Sequence, residues 1–175
     1  MITRAGVKVI EYNARFGDPE IMNVLPLMQT DFIDVCDAIV RGRLNSLDVK
    51  FASRATVCKY IVPEAYPGRT SQRPEIDVQQ LDQMASTEPN LRVFYGAVEQ
   101  GERGLCLTGS RAIGLVGIGS SLADAERLAE RAATLVKGPV KHRRDIGTAA
   151  LVQKRVNHMT AIRRSATTGF ARAAI

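Results

Sequence analysis

The sequence predicts an α+β fold in which a small antiparallel sheet carries one packed helix and follows a shorter strand-and-helix segment. Three observations carry that prediction. Residues 91–118 alternate short β-rich runs with glycine turns, the pattern of an antiparallel meander. Residues 121–136 place Leu122, Ala125, Leu128, Ala129, Ala132 and Leu135 at helical spacing, giving one apolar stripe. The 175 residues are 45% hydrophobic, 24% charged and 5% aromatic, a globular composition that excludes disordered, collagen-like and disulfide-scaffold readings.

In chain order, residues 7–13 read as a strand rich in β-branched side chains, with Gly6 supplying a turn before it. Gly17-Asp18-Pro19-Glu20 reads as a helix start, Asp18 capping the first amides, Pro19 opening the helix and Glu20 complementing its dipole. Pro26 breaks that helix early. A second helix is expected over 31–41, with Phe32, Val35, Cys36 and Ile39 inward and Gly42 at its C-terminal cap. The polar stretch 43–50 marks a domain boundary. Ala55 to Val62 is the next strand, stopped by Pro63, and 66–75 is a Pro- and Gly-bearing loop. The meander follows as 91–98, a turn at 101–104, 105–108, a turn at Gly109-Ser110 and 111–118. Ser121 and Asp124 then open the amphipathic helix in capping-box fashion, and Gly138-Pro139 ends it. A basic helix from about Leu151 to Ile162 and a frayed tail over 165–175 complete the chain.

The formal charge of +6 is unevenly spread. Residues 1–136 hold 15 Lys and Arg against 17 Asp and Glu, whereas residues 137–175 hold 9 against 1. That argues against a basic nucleic-acid face over the main body, and Phe170 is the only aromatic in the basic tail. Cys36, Cys58 and Cys106 lie far apart and form no metal or disulfide pattern. No apolar run reaches the roughly 20 residues of a membrane span, and residues 1–4 lack a signal-peptide apolar stretch. The expectation is a cytoplasmic protein with neither a membrane nor a specific nucleic acid as partner.

The densest group of chemically capable residues is Glu11 to Glu20. In an extended strand alternate side chains share a face, so Glu11, Asn13 and Arg15 would project together. A carboxylate and an amide oxygen about 6–7 Å apart along the backbone can converge on a hard cation such as magnesium. The guanidinium beyond them suits a phosphate or acyl-phosphate oxygen. The alternative is a solvated strand face followed by a capped helix.

The pattern Glu-x-Asn-x-Arg in residues 11–15 resembles the metal-binding strand of ATP-grasp ligases, and the full run 11–20 resembles the signature of the phosphoribosylamine-glycine ligase, or glycinamide ribonucleotide synthetase, family. Later segments follow that family in order: Asp31, the strand 55–62 leading into Ala65-Tyr66-Pro67-Gly68, Gly109-Ser110-Arg111, the helix 121–136 and Arg144-Asp145-Ile146-Gly147. Met22 stands where many members carry Gln or Glu, and Ser110 replaces the second glycine of Gly-Gly-Arg.

The resemblance implies an enzyme that uses ATP to phosphorylate glycine and joins the glycyl phosphate to 5-phosphoribosylamine, a step of purine biosynthesis. It implies that Glu11 and Asn13 bind Mg²⁺ or Mn²⁺, that Arg15 is catalytic, stabilising the transferring phosphoryl group, and that Gly17, Asp18 and Glu20 line the substrate pocket. It also implies the domain order: 1–46 as the remnant of an ATP-grasp domain, 47–150 as a small C-terminal domain with a barrel-like antiparallel sheet and a packed helix, and 151–175 as a basic helical tail. The family's N-terminal and lid domains are missing, so Met1 reads as an internal methionine and the chain as a fragment inactive alone. A non-catalytic or in-trans complementing module is the alternative.

Among other residues, Gly114, Gly117 and Gly119 fit a bend in a sheet better than a phosphate loop. His142 and His158 have no carboxylate beside them in sequence and read as surface residues. Lys141-His142-Arg143-Arg144 suits contact with phosphate groups, although a solvated basic run is the plainer reading.

Overall fold

A computed structural model of the chain describes residues 1–3, 5–68, 73–102 and 104–172, with side chains as far as Arg164. Its first elements are β1 (Ile2–Thr3) and β2 (Gly6–Val7), a hairpin turning at Gly6, whose φ of 96° favours glycine. This corrects the strand expected over 7–13. Only Val7 is paired, with Ile2, and residues 8–17 have no regular structure. Val9, Ile10 and Tyr12 are 67, 70 and 86% exposed. A β-rich run becomes a strand only against a neighbouring ladder; Lys8 still exchanges hydrogen bonds with Met1, and among the described residues no strand pairs with 9–13.

Helix α1 (Glu20–Val24) passes into a 3₁₀ turn, Leu25–Leu27, where Pro26 breaks the helical pattern as expected. Helix α2 (Phe32–Val40) starts at Asp31, whose carboxylate accepts from Ile33 N at 2.8 Å. It ends in a Schellman turn: Gly42 N donates to Ile39 O, Arg43 N donates to Ala38 O, and Gly42 holds φ 65°. Its buried residues are Val35 and Ala38, while Phe32, Cys36 and Ile39 are exposed, contrary to the inward set expected. Met28 bridges Phe51, and Gln29 N donates to Lys50 O, so the entry to α2 is fixed by backbone bonds rather than by its apolar stripe.

The centre of the molecule is a four-stranded antiparallel sheet. It contains β3 (Ala55–Pro63), β5 (Leu91–Tyr95), β8 (Ile113–Gly119) and β9 (Val140–Lys141) in the order β5-β8-β3-β9. A second sheet, in the order β4-β7-β6, comprises β4 (Glu75–Ile76), β6 (Val98–Gln100) and β7 (Leu105–Leu107). The expected single strand 91–98 is thus two. The chain turns a corner at Gly96, whose Cβ would stand 2.9 Å from Arg111 O, and β6 joins the other sheet. Helix α3 (Gln79–Thr87) lies where the sequence pattern suggests no element, and it buries Leu81 alone.

Helix α4 (Leu122–Leu135) follows the expected pattern closely. Ser121 accepts from Asp124 N at 3.1 Å, and both Ser120 and Ser121 hydroxyls donate to Asp124. Ala125, Ala129, Ala132 and Ala133 are buried, Leu128 and Leu135 are half-buried, and Leu122 at the mouth of the helix is exposed. The strand residues Val57, Lys59, Ile61 and Leu115 point towards α4, and the alternate set Cys58, Tyr60 and Val116 faces the opposite side. That second face is covered by Met22 and Leu27. Helix α5 (Ala149–Arg172) is longer than expected and takes in most of the stretch read as a frayed tail; residues 173–175 lie outside the described residues.

Candidate functional site

Because Cys58, Tyr60 and Val62 alternate along β3, they share the face turned from α4. Pro19, the Tyr66-Pro67 turn, Arg111 and residues 141–143 close around them to leave a cavity of about 500 Å³. Its lining carries Arg111, Lys141 and Arg143 together with His142, and among the described residues no carboxylate lines it. The wall favours an anion only through the charge that its own ion pairs, Arg111 with Asp18 and Arg143 with Asp145, leave over. A wider depression of about 630 Å³ beside β4 and α3 sets Glu75, Asp77 and Asp82 against Lys137 and has no such selectivity.

Asp18 sits at the rim of this cavity. Its Oδ1 accepts a short hydrogen bond from the Tyr60 hydroxyl and its Oδ2 accepts from Arg111 Nη1 at 2.8 Å. The Arg111 guanidinium lies 5.5 Å from the Tyr60 ring centroid. The Tyr60 hydrogen bond, with Arg111 beside it, holds the Asp18 carboxyl below the usual range. Burial and the Asp18 contact push the Tyr60 phenol up, and burial pushes the Cys58 thiol up to about 11. The helix-capping role expected of Asp18 is therefore corrected: α1 has Pro19 at its N-cap and no side-chain cap, because the Asp18 carboxylate is engaged across the cavity. Asp18→Ala should free the 8–19 segment; amide exchange at Ile21 and Met22 would speed up while the exchange of β3 stays unchanged.

The other residues singled out in 11–20 do not line the cavity. Asn13 Nδ2 donates to Glu11 Oε1 at 3.1 Å, so these two side chains do meet. Arg15 turns instead to donate to Phe16 O at 2.9 Å. Gly17 is half-buried, and a Cβ there would lie 2.6 Å from Glu20 Oε2, which is the far end of a flexible side chain. Glu20 is exposed in the first turn of α1. Among the described residues no three His, Cys, Asp or Glu side chains gather as a metal cluster. A carboxylate and an amide are what these two side chains could offer a hard cation.

Beneath the cavity lies a buried network that sequence reasoning missed. The Lys59 side chain is 0% exposed, and its Nζ donates to Glu126 at 2.7 Å, Glu130 at 2.6 Å and Arg144 O at 3.0 Å, which satisfies all three protons. His142 Nε2 stands 3.1 Å from Glu130 Oε2, and its side chain is only 12% exposed, so the surface placement expected of it is corrected. Burial raises the Glu130 pKa, but Lys59 and His142 outweigh it and hold the group below its ordinary range. The signal was a lone lysine at an inward strand position between Val57 and Ile61, answered by glutamates four residues apart on α4.

Residues 56–149 match the family model described as phosphoribosylglycinamide synthetase, C domain. The phosphoribosylamine--glycine ligase of Methanocaldococcus jannaschii is 44% identical over 94% of this chain and 36% of that protein. The protein of the same name from Methanobrevibacter smithii is 49% identical over 93% of this chain and 36% of its own length. The chain thus spans little more than a third of these relatives. A crystal structure of phosphoribosylamine--glycine ligase from Thermotoga maritima superposes with a TM-score of 0.59 over 78% of this chain at 23% identity, which establishes a shared fold. Over the sheet, α4 and the cavity lining from Cys58 to Ile146, the chain belongs to the phosphoribosylglycinamide synthetase C-domain family.

Proposed function

We propose that the chain is the C-terminal part of an ATP-dependent ligase that joins glycine to 5-phosphoribosylamine through glycyl phosphate. The carrying observation is the similarity to phosphoribosylamine--glycine ligases across 94% of the chain. In this reading residues 1–46 end an ATP-grasp domain, 47–150 form the C-terminal domain and 151–175 are its basic tail. The cavity receives the 5-phosphate of the phosphoribosyl substrate on Arg111, Lys141 and Arg143, donors suited to a phosphate dianion. Asp18, at the rim, and Gly17 and Glu20 beside it shape the end nearest the amine and glycine.

Glu11 and Asn13 would hold Mg²⁺ or Mn²⁺; the amide rotates to exchange its hydrogen bond to Glu11 for an oxygen ligand. The cation would supply charge neutralisation on ATP phosphates. Arg15, two positions on, swings from the Phe16 carbonyl towards the transferring phosphoryl group. The isolated chain lacks most of the length of its relatives and is expected to make no glycinamide ribonucleotide. When it is combined with a separate chain carrying the remaining domains, activity should return, and Glu11→Gln should lower it on the order of a hundredfold or more. Full activity of that variant would remove Glu11 from the site. Separately, Lys141→Met should weaken ribose 5-phosphate binding to the chain about tenfold by calorimetry, since one charge-assisted phosphate contact is lost.

A second reading, in which the chain serves as an in-trans completing module, draws support from its apolar surface. Val7, Val9, Ile10, Tyr12 and Phe16, and across α2 Ile33, Ile39 and Val40, are all more than half exposed. A mixture in which the partner chain covers these residues without Glu11 affecting turnover would favour this module over a catalytic strand.

A further inference from the structure

We propose that His142 is a substrate-binding residue whose protonation strengthens anion capture in the cavity, with Glu130 and Lys59 as the positioning pair that orients its ring. The inference rests on reading the cavity as a phosphate pocket and goes beyond it in naming the group that makes capture depend on pH. His142 lines the cavity while its Nε2 meets Glu130 Oε2 at 3.1 Å. With Glu130 ionised, a carboxylate that only accepts, Nε2 carries the proton of the neutral ring, and Nδ1 is the nitrogen that gains one on protonation. Neutral, Nδ1 offers a lone pair that repels an anion; protonated, it becomes a donor. Glu130 is in turn held at 2.6 Å by Lys59, whose side chain is wholly buried, so the ring rests on a fixed base.

The surrounding charges isolate this effect. From β3 come Lys59, Tyr60 and Cys58; from α4, Glu126 and Glu130; from the turn before β8, Arg111, paired with Asp18. On its own segment His142 is flanked by Lys141 and by Arg143, which is paired with Asp145. Arg144 stands 3.4 Å from Glu130. Burial holds the Cys58 thiol at about 11, and of the remaining side-chain types only imidazole ordinarily changes charge between about pH 5.5 and 8.5. Protonation adds a positive charge to an anion-binding wall, so binding tightens as pH falls, and by linkage a bound anion raises the pH at which His142 titrates.

The test uses the full chain and sulfate, which keeps its charge throughout this range. Its affinity, measured by calorimetry, should rise about tenfold from about pH 8.5 to 5.5, and His142→Gln should flatten that rise. In parallel, NMR titration of the two histidines should show saturating sulfate moving the His142 midpoint upward and leaving that of His158, exposed on α5, in place. Glu130→Gln should lower the His142 midpoint. An unchanged pH slope in His142→Gln, or a His142 midpoint indifferent to sulfate, overturns the inference while leaving the phosphate pocket standing. Failure of both sulfate and ribose 5-phosphate to bind at any pH overturns both readings.

Discussion

Gly117→Ala is expected to destabilise the chain by about 3 kcal/mol, seen as a melting temperature lower by about 6–12 °C. Gly117 lies in the middle of β8, on the face that carries α4, and a Cβ there would stand 2.1 Å from Ala125 O and 2.9 Å from Ala129 N. Both are backbone atoms of a helix that cannot give way locally. The alanines of α4 are fully buried because the strand opposite them has no side chain at this point, so the helix axis can approach the sheet closely. One added methyl group therefore moves the whole helix, and with it Glu126 and Glu130, rather than one rotamer. Gly104→Ala is the matched control: nothing lies within 4 Å of the Cβ position, and its melting should stay within about 0.5 kcal/mol of the parent. Equal melting of the Gly117→Ala chain and the parent would refute the close-packing account.

The same glycines show how much could be read in advance. A bend or turn in a sheet was the expectation for Gly114, Gly117 and Gly119; β8 instead runs through them, and at Gly117 and Gly119 they make room for α4. Helix α4 was legible because it buries one continuous apolar face, which periodicity records, and strand β3 because its β-rich run ends at Pro63; their pairing with each other was not legible. The 8–13 run was misread because β-propensity describes a surface waiting for a ladder and does not say whether a ladder is present. Asp18 was ambiguous for a similar reason: a carboxylate ahead of Pro19 caps a helix in isolation, and only the fold brings Tyr60 and Arg111, 42 and 93 residues away, to claim it. The cavity's cations, drawn from the turn before β8 and from residues 141–143, are separated by some thirty positions in sequence, and no local pattern could join them.

Lys59→Met should cost about 3–5 kcal/mol near neutral pH, because it leaves two carboxylates facing one another without their ammonium partner. Lys59 is 0% exposed in its side chain, and Glu126 and Glu130 are 16 and 26% exposed, so water cannot readily replace the lost charge. The carbonyl of Arg144 loses its donor as well. The direction of the pH dependence follows from Glu130, whose folded-state pKa lies below its ordinary 4.5. A depressed carboxyl contributes stability that is complete above its unfolded pKa and is lost as pH falls through the folded value. In the Lys59→Met chain the Lys59 attraction is gone while burial still raises the Glu130 carboxyl, so Glu130 gains stability by taking up a proton as pH falls. The gap between parent and variant should therefore be widest above about pH 5 and close towards about pH 3, measured as denaturant midpoints across that range. Replacing all three partners with apolar residues, Lys59→Met with Glu126→Leu and Glu130→Leu, should recover most of the lost stability at neutral pH, since no buried charge is then left alone. The recovered chain would still fail to orient His142, which separates the energetic role of the network from its role at the cavity wall: melting restored, the sulfate-linked titration of His142 lost. A triple variant as unstable as Lys59→Met alone would mean that packing around the lysine stem, rather than its charge, sets the cost.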